Sequence, residues 1–315
     1  MRTVLHKSKQ YWLTALKVLL LGLTFAYIYY KITSGETLRW TTFISEIQSK
    51  NFGYIVLFIL LASVNWVLEV AKWQTVVSKI KSISFYEATK QSLAALAVSL
   101  PTPNRIGDYG AKAFFYPSEK RKEILLLNFI NNSAQMLITC LLGSIGLFII
   151  AATYSLPFSE INLSIALLSL MIVVLAGYFF RKKQLLIKGL SVESLFLYIK
   201  KLSNALKLKL LVYSFLRYTV FSLLFFVILL FFDADISALH AAPLIFTMYL
   251  LVSILPSFFI FDVVLRGGVA VWLFSLLVVP EITVLCTVFT MWLLNFILPA
   301  LVGSFFVARY KTANL

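Results

Sequence analysis

The chain has 315 residues, of which 61% are hydrophobic and only 13% are charged. Soluble domains are typically about 45–50% apolar and about 25% charged, so this composition excludes a soluble globular protein and indicates a polytopic membrane protein. The formal net charge is +15, and its Lys and Arg residues lie in short segments beside apolar runs. We interpret this charge as a topology signal and expect no nucleic acid partner.

Apolar runs of about 20 residues are long enough to cross a bilayer, and they predict six spans. The spans lie at about 12–30, 52–77, 124–152, 161–180, 210–232 and 282–308. No small-residue cleavage site follows the first run, so we expect it to remain as an anchor and not to act as a signal peptide.

Two further apolar regions, 88–116 and 240–278, are interrupted near their middle by proline, glycine and charge. Basic segments flank the first region and acidic segments flank the second, so the preference of Lys and Arg for the cytoplasmic side places their ends on opposite faces of the membrane. Each arm has about 10–15 residues, or about 15–22 Å of helix, which reaches only the middle of a bilayer. Both regions are therefore predicted to be re-entrant hairpins.

The order of spans and hairpins repeats with every direction reversed. We therefore predict an all-α polytopic membrane protein, a single integral membrane domain over 1–315, with six full spans and two re-entrant helical hairpins arranged as an inverted repeat of about 1–152 and 153–315. Such a repeat suits a carrier that exposes a midplane site alternately to each side. Both termini are expected in the cytoplasm.

The linker between the repeats, 181–209, contains an apolar stripe at helical spacing that Lys residues flank. This pattern predicts an amphipathic helix on the cytoplasmic leaflet, where anionic lipids would bind its lysines. The stripe consists of Val192, Leu195, Phe196, Ile199, Leu202 and Leu206.

Charged residues that fall at membrane depth are the candidate substrate site. Each costs about 2.5–3.5 kcal/mol at a helix centre on insertion scales, so they must pair or line a wet cavity. Arg105, Asp108 and Lys112 share one face of the returning helix of the first hairpin, and Asp262 and Arg266 are an i, i+4 pair in the second. Polar stripes on two spans fit the wall of the same cavity: Asn65, Glu69 and Lys72 on one, and Asn128, Asn131, Asn132 and Gln135 on the other.

Two interpretations of these residues stay open. Either an arginine contacts an anionic substrate, or each arginine only neutralises the neighbouring aspartate. The amide stripes could likewise join helices without binding a substrate. Cysteines and histidines are few and far apart, so we expect no metal, no cofactor and no catalytic group.

Three stretches resemble one known family: AKWQTVV at 71–77, SLPTPNRIGDYGAKAFFY at 99–116 and LPSFFIFDVVLRGGVAVWLF at 255–274. They are similar to the lysylphosphatidylglycerol synthase transmembrane-region family, also described as flippase-like integral membrane proteins. The most specific family motif is matched by Leu100, Pro101, Arg105, Gly107 and Asp108, with Asp108 in place of the usual Glu. The second motif is present in altered order, and no Glu follows Arg266.

The resemblance implies translocation of a lipid. No soluble aminoacyl-transfer domain follows the apolar segments, so we expect no synthase activity and no enzyme. The predicted function is a flippase-like transporter that moves an anionic or phosphate-bearing lipid, aminoacylated and polyprenyl-linked lipids included, between the leaflets of the bacterial cytoplasmic membrane. Two alternatives remain: an intramembrane enzyme with Asp108 and Asp262 as an acid–base pair, and a non-transporting scaffold for envelope lipid synthesis.

Overall fold

A computed structural model describes residues 52–100, 102, 107–154, 192–255 and 259–309, without the side chains of Val192 and of 259–262. This part of the chain is mostly helical and contains no β-strand, which confirms the all-α expectation for the described residues. The helices are α1 (Gly53–Val77), α2 (Phe85–Ser99), α3 (Gly107–Ala113), α4 (Ser118–Thr153), α5 (Val192–Lys201), α6 (Asn204–Phe231), α7 (Ala238–Ile254), α8 (Phe259–Phe274), α9 (Glu281–Trp292) and α10 (Leu298–Ala308).

Four of the described helical segments are long and apolar enough to cross a membrane. They are α1, α4, α6 and the continuous segment from α9 to α10, with lengths between 25 and 36 residues. A π-helical turn, Leu293–Ile297, joins α9 to α10. These four segments correspond to the predicted spans 52–77, 124–152, 210–232 and 282–308, whereas the predicted spans 12–30 and 161–180 lie outside the described residues.

Both interrupted apolar regions consist of two shorter helices in contact, α2 with α3 and α7 with α8. The longest of these four helices has 17 residues, fewer than the about 20 needed to cross a bilayer. The first arm begins where the Ser84 side chain accepts a hydrogen bond from the Glu87 amide at 3.2 Å, a standard helix cap.

Close helix packing in this fold depends on glycine. At Gly146 of α4, a Cβ atom would lie 2.6 Å from the Pro243 carbonyl oxygen and 3.0 Å from the Phe246 Cβ of α7. At Gly303 of α10, a Cβ atom would overlap the Leu93 carbonyl of α2. Small residues let the backbones of two helices approach in this way. The long helix after each interrupted region is therefore packed against the first arm of the other region.

The linker helix α5 lies against the protein on part of its predicted stripe. Leu195 and Ile199 pack on a buried cluster that includes Trp73, and Tyr198 donates a hydrogen bond to Glu123 Oε1 at 3.0 Å. Burial and the adjacent carboxylate raise the pKa of Tyr198. Phe196, in contrast, is 59% exposed. The amphipathic helix is present, but part of the stripe expected on the membrane surface packs on the protein.

Candidate functional site

A buried ionic cluster is centred on Glu69 of α1. Lys72 Nζ lies 3.1 Å from Glu69 Oε2, Arg217 Nη1 of α6 lies 3.0 Å from the same oxygen, and Lys112 Nζ of α3 lies 3.9 Å from Oε1. Lys72 and Lys112 are at most 1% exposed, and Glu69 is 8% exposed. Buried charges of this kind are tolerated when they are paired. Here one carboxylate forms ion pairs with three cations from three helices.

The first interrupted region contributes Asp108 and Lys112, one turn apart on α3. Lys112 Nζ lies 3.6 Å from Asp108 Oδ1 and donates a hydrogen bond to Asn128 Oδ1 at 3.1 Å. Its ammonium group also stands 4.6 Å from the centroid of the Trp73 ring, within the range of a cation–π interaction. These contacts fix the lysine between α1, α3 and α4.

The amide stripe of α4 faces this cluster, as its spacing predicts. Asp108 Oδ2 accepts hydrogen bonds from Asn128 Nδ2 at 2.8 Å and from Asn132 Nδ2 at 3.3 Å. Asn131 Nδ2 donates to Glu69 Oε1 at 3.5 Å. One turn further on, Gln135 Oε1 accepts from Lys72 Nζ at 3.5 Å. The stripe therefore joins helices and also contacts the charged groups of the candidate site.

Arg217 is not among the residues that the sequence predicts for the site, although it occupies the centre of α6. Its Nε donates to Asn65 Oδ1 at 3.2 Å, and Asn65 Nδ2 donates to Asn295 Oδ1 in the π-helical turn at 2.9 Å. The sequence does indicate this residue, because Arg217 is the one charged residue in the apolar run 210–232. The cost of a charge at membrane depth identifies it as it identifies Glu69.

A cavity of about 610 Å³ adjoins the cluster; we call it the larger chamber. Its wall contains Glu69, Asp108, Lys112 and Arg217. Apolar side chains of α4 also lie on this wall, and Met136 among them is 40% exposed. The wall of the chamber thus combines charged and apolar side chains.

A cavity of about 200 Å³ lies beside it; we call it the smaller chamber. The two chambers share five wall residues: Gln135, Thr139, Arg217, Ser253 and Phe296. Arg266 of α8 belongs to the smaller chamber, and its guanidinium group lies 5.7 Å from the centroid of the Phe296 ring. The candidate residues of the two interrupted regions are therefore placed in adjoining chambers and not in a single cluster.

Seven of the nine predicted site residues have described side chains. Six of them meet in or beside the larger chamber: Glu69, Asp108, Lys112, Asn131, Asn132 and Gln135. Arg266 lies in the smaller chamber. Arg105 and the side chain of Asp262 lie outside the described part of the chain.

The described ionic cluster carries an excess of positive charge. Lys72, Lys112 and Arg217 contribute three cations, and Glu69 and Asp108 contribute two carboxylates, which leaves a formal charge of +1. Arg266 adds another cation on the wall of the smaller chamber. A low-dielectric site with such an excess attracts an anion.

The fold and the site together define a polytopic α-helical membrane protein with two adjoining chambers beside a buried ionic cluster. No protein-family model matches the chain, and no curated protein is similar to it. The resemblance of its motifs to the lysylphosphatidylglycerol synthase transmembrane region therefore stays a prediction.

Proposed function

We propose that this protein moves an anionic, phosphate-bearing lipid between the two leaflets of the bacterial cytoplasmic membrane. The observation that carries the proposal is the larger chamber, whose wall contains Lys112 and Arg217 together with the partly exposed apolar residues Phe129 and Met136. A phosphate group would be stabilised by the two cations. The acyl chains would leave the chamber past the apolar residues. The charged headgroup then stays in a polar environment and the acyl chains stay in an apolar one.

The proposal includes an inverted repeat with two re-entrant hairpins, because the helix contacts occur in matched pairs. In the first half α3 packs on α4, and in the second α8 packs on α9. Across the halves, α4 packs on α7 and α10 packs on α2, while α1 packs on α6. Exchanging the halves converts each of these contacts into its counterpart, as expected of the inverted repeats from which many alternating-access transporters are built.

The distribution of charge supports the proposed orientation. The basic segments favour a topology with both termini on the cytoplasmic side. The family resemblance of the hairpin motifs adds aminoacylated phospholipids to the candidate substrates, beside other anionic lipids and polyprenyl-linked lipids. An enzyme acting on a lipid-linked substrate and a non-transporting scaffold are the competing outcomes.

Transport is tested by reconstituting the full chain in vesicles with a fluorescent phosphatidylglycerol and measuring its exchange between leaflets. We expect wild-type protein to accelerate exchange over empty vesicles. Lys112→Gln should slow that exchange by about 10- to 100-fold, because a hydrogen bond to a charged group contributes about 1.5–3 kcal/mol. Lys120→Gln, at an exposed lysine of α4, is the matched control and should leave the rate unchanged.

The first of three results would contradict transport, and the other two distinguish between its alternatives. Exchange equal to that of empty vesicles, with correctly folded protein by size-exclusion chromatography, excludes a flippase under these conditions. A new lipid species on thin-layer chromatography would favour the enzyme. Neither exchange nor product would favour the scaffold.

The re-entrant topology has a separate test by labelling with a membrane-impermeant thiol reagent in cells. In a background with Cys140→Ala and Cys286→Ala, single cysteines are introduced as Ser118→Cys and Ala238→Cys, both at exposed positions. We expect the first to react only from the cytoplasmic side and the second only from outside. Reaction of the first from outside intact cells would exclude the proposed inverted repeat.

A further inference from the structure

A further cavity lies where two spans end, apart from both chambers. It has a volume of about 250 Å³ and lies between the carboxyl end of α1 and the amino end of α6. We call it the terminal pocket; its wall is formed by Thr75, Ser78, Lys79, Ser203, Ala205, Leu206 and Lys209. None of these residues lies on the wall of either chamber. The end of α1 at Val77 is about 12 Å of helix beyond Glu69, so the terminal pocket is separate from the ionic cluster.

Two lysines lie on the wall of the terminal pocket, and none of its described residues is acidic. Lys79 and Lys209 are both exposed, and neither side chain forms an ion pair or a hydrogen bond within the described part of the chain. The neighbouring Lys207, in contrast, donates to Asn204 Oδ1 at 3.4 Å. Two cations on one wall without an acidic partner attract an anion.

Ser203 provides the terminal pocket with a hydrogen-bond donor. Its Oγ accepts a hydrogen bond from the Leu206 amide at 3.3 Å, and its hydroxyl proton has no acceptor among the described residues. The protons of the other two hydroxyl groups on the wall are already used, since Ser78 donates to the Thr75 carbonyl and Thr75 donates to the Ala71 carbonyl, both at 2.8 Å. A serine hydroxyl donates one hydrogen bond. Ser203 can therefore donate to an oxygen of the anion that the lysines attract.

The surface beside the terminal pocket favours a lipid as the source of this anion. Val212 and Leu216 of α6 follow Lys209 at helical spacing, so they share its face, and they are 48% and 43% exposed. An exposed apolar face on a helix long enough to span a membrane would contact acyl chains. Lipid headgroups lie at the level where such helices end. A lipid with its phosphate group in the pocket would therefore place its acyl chains along α6.

We propose that the terminal pocket binds the phosphate group of an anionic phospholipid through Lys79, Ser203 and Lys209. The site does not depend on the proposed function, because it uses no wall residue of the chambers. It also differs from the membrane contact expected of α5, since the lysines of that helix, Lys200 and Lys201, do not lie on its wall. One phosphate group would bridge the ends of α1 and α6, which pack on each other.

The site is tested by limited acetylation of lysines in the full chain in a nonionic detergent, with mass spectrometry to measure the rate at each lysine. With dihexanoyl phosphatidylglycerol at about ten times its dissociation constant, Lys79 and Lys209 should react about tenfold more slowly than with dihexanoyl phosphatidylcholine, because the site is free only about a tenth of the time. Lys120, an exposed lysine of α4, is the internal control and should react equally in both lipids. Equal rates at Lys79 and Lys209 in the two lipids would overturn the site.

A pair of variants at Ser203 tests whether the anion lies in the pocket. Asparagine and aspartate both replace serine well as helix caps, so α6 should keep its start in either variant. Ser203→Asp adds a carboxylate and should abolish the protection of Lys79 and Lys209 by phosphatidylglycerol. Ser203→Asn adds no charge and should retain most of it. Equal protection in the two variants would overturn the site.

Inorganic phosphate distinguishes a lipid from a soluble phosphate compound as the ligand. Protection by phosphatidylglycerol without protection by inorganic phosphate at the same concentration is the result expected of a lipid site. Equal protection by inorganic phosphate would overturn the lipid as the ligand. Lys112→Gln should leave the protection unchanged, because Lys112 belongs to the larger chamber. Protection in a protein without leaflet exchange would separate this inference from a failure of the proposed function.

Discussion

Glu69→Gln is expected to lower the melting temperature of the protein by roughly 6–20 °C. Removing one partner of a buried ion pair costs about 3–5 kcal/mol, because the other charge stays buried without compensation, and each kcal/mol corresponds to about 2–4 °C in a large domain. Here a single carboxylate contacts three cations, Lys72, Lys112 and Arg217. Glutamine keeps the shape of the side chain and removes only its charge.

The same variant also tests whether the cluster binds an anion. With Glu69 neutral, the three cations keep only the carboxylate of Asp108, which pairs with Lys112, so an external anion should bind as their counter-ion. Phosphatidylglycerol should therefore restore several degrees of the lost melting temperature, and phosphatidylcholine, which has no net charge, should not. The matched control is Glu87→Gln, because Glu87 forms a surface pair with Lys90 at 3.7 Å and such pairs contribute at most about 1 kcal/mol. An unchanged melting temperature in Glu69→Gln would mean that the cluster does not hold the helices together.

Much of this site can be predicted because a charge inside an apolar run is costly and therefore conspicuous. Glu69, Asp108 and Lys112 are found in this way, and the three- and four-residue spacing of the α4 amides predicts the face that meets them. Arg217 obeys the same rule. Its partners, however, lie 152 and 148 residues away along the chain in α1, and nothing local in α6 indicates them.

The division into two chambers could not be predicted from the sequence. It depends on how α7 packs beside α4 and α8 beside α7, and on the contact between Asn65 and Asn295, which are 230 residues apart. Asn295 lies in a π-helical turn, a local widening of the helix that hydrophobic periodicity does not reveal. Periodicity also identifies the apolar face of α5 without showing whether protein or lipid covers it, because both are apolar.

Gly146→Ala is expected to destabilise the protein by about 1–3 kcal/mol, the usual cost of forcing an extra carbon into a packed interface. The new methyl group would lie 2.6 Å from the Pro243 carbonyl oxygen. A backbone atom cannot turn away as a flexible side chain can, so α4 and α7 must separate. The matched control is Gly268→Ala in α8, where a Cβ atom meets nothing within 4 Å. Because alanine has a higher helix propensity than glycine, this substitution should leave the stability unchanged or raise it.

Separation of α4 from α7 should also slow the proposed leaflet exchange, because both helices contribute residues to the boundary between the chambers. Gln135 and Thr139 of α4 and Ser253 of α7 lie on the wall that both chambers share. We therefore expect Gly146→Ala to reduce the exchange rate at temperatures where the protein is still folded, and Gly268→Ala to leave it unchanged. Normal exchange by a destabilised Gly146→Ala protein would show that transport does not require the two chambers to keep this spacing.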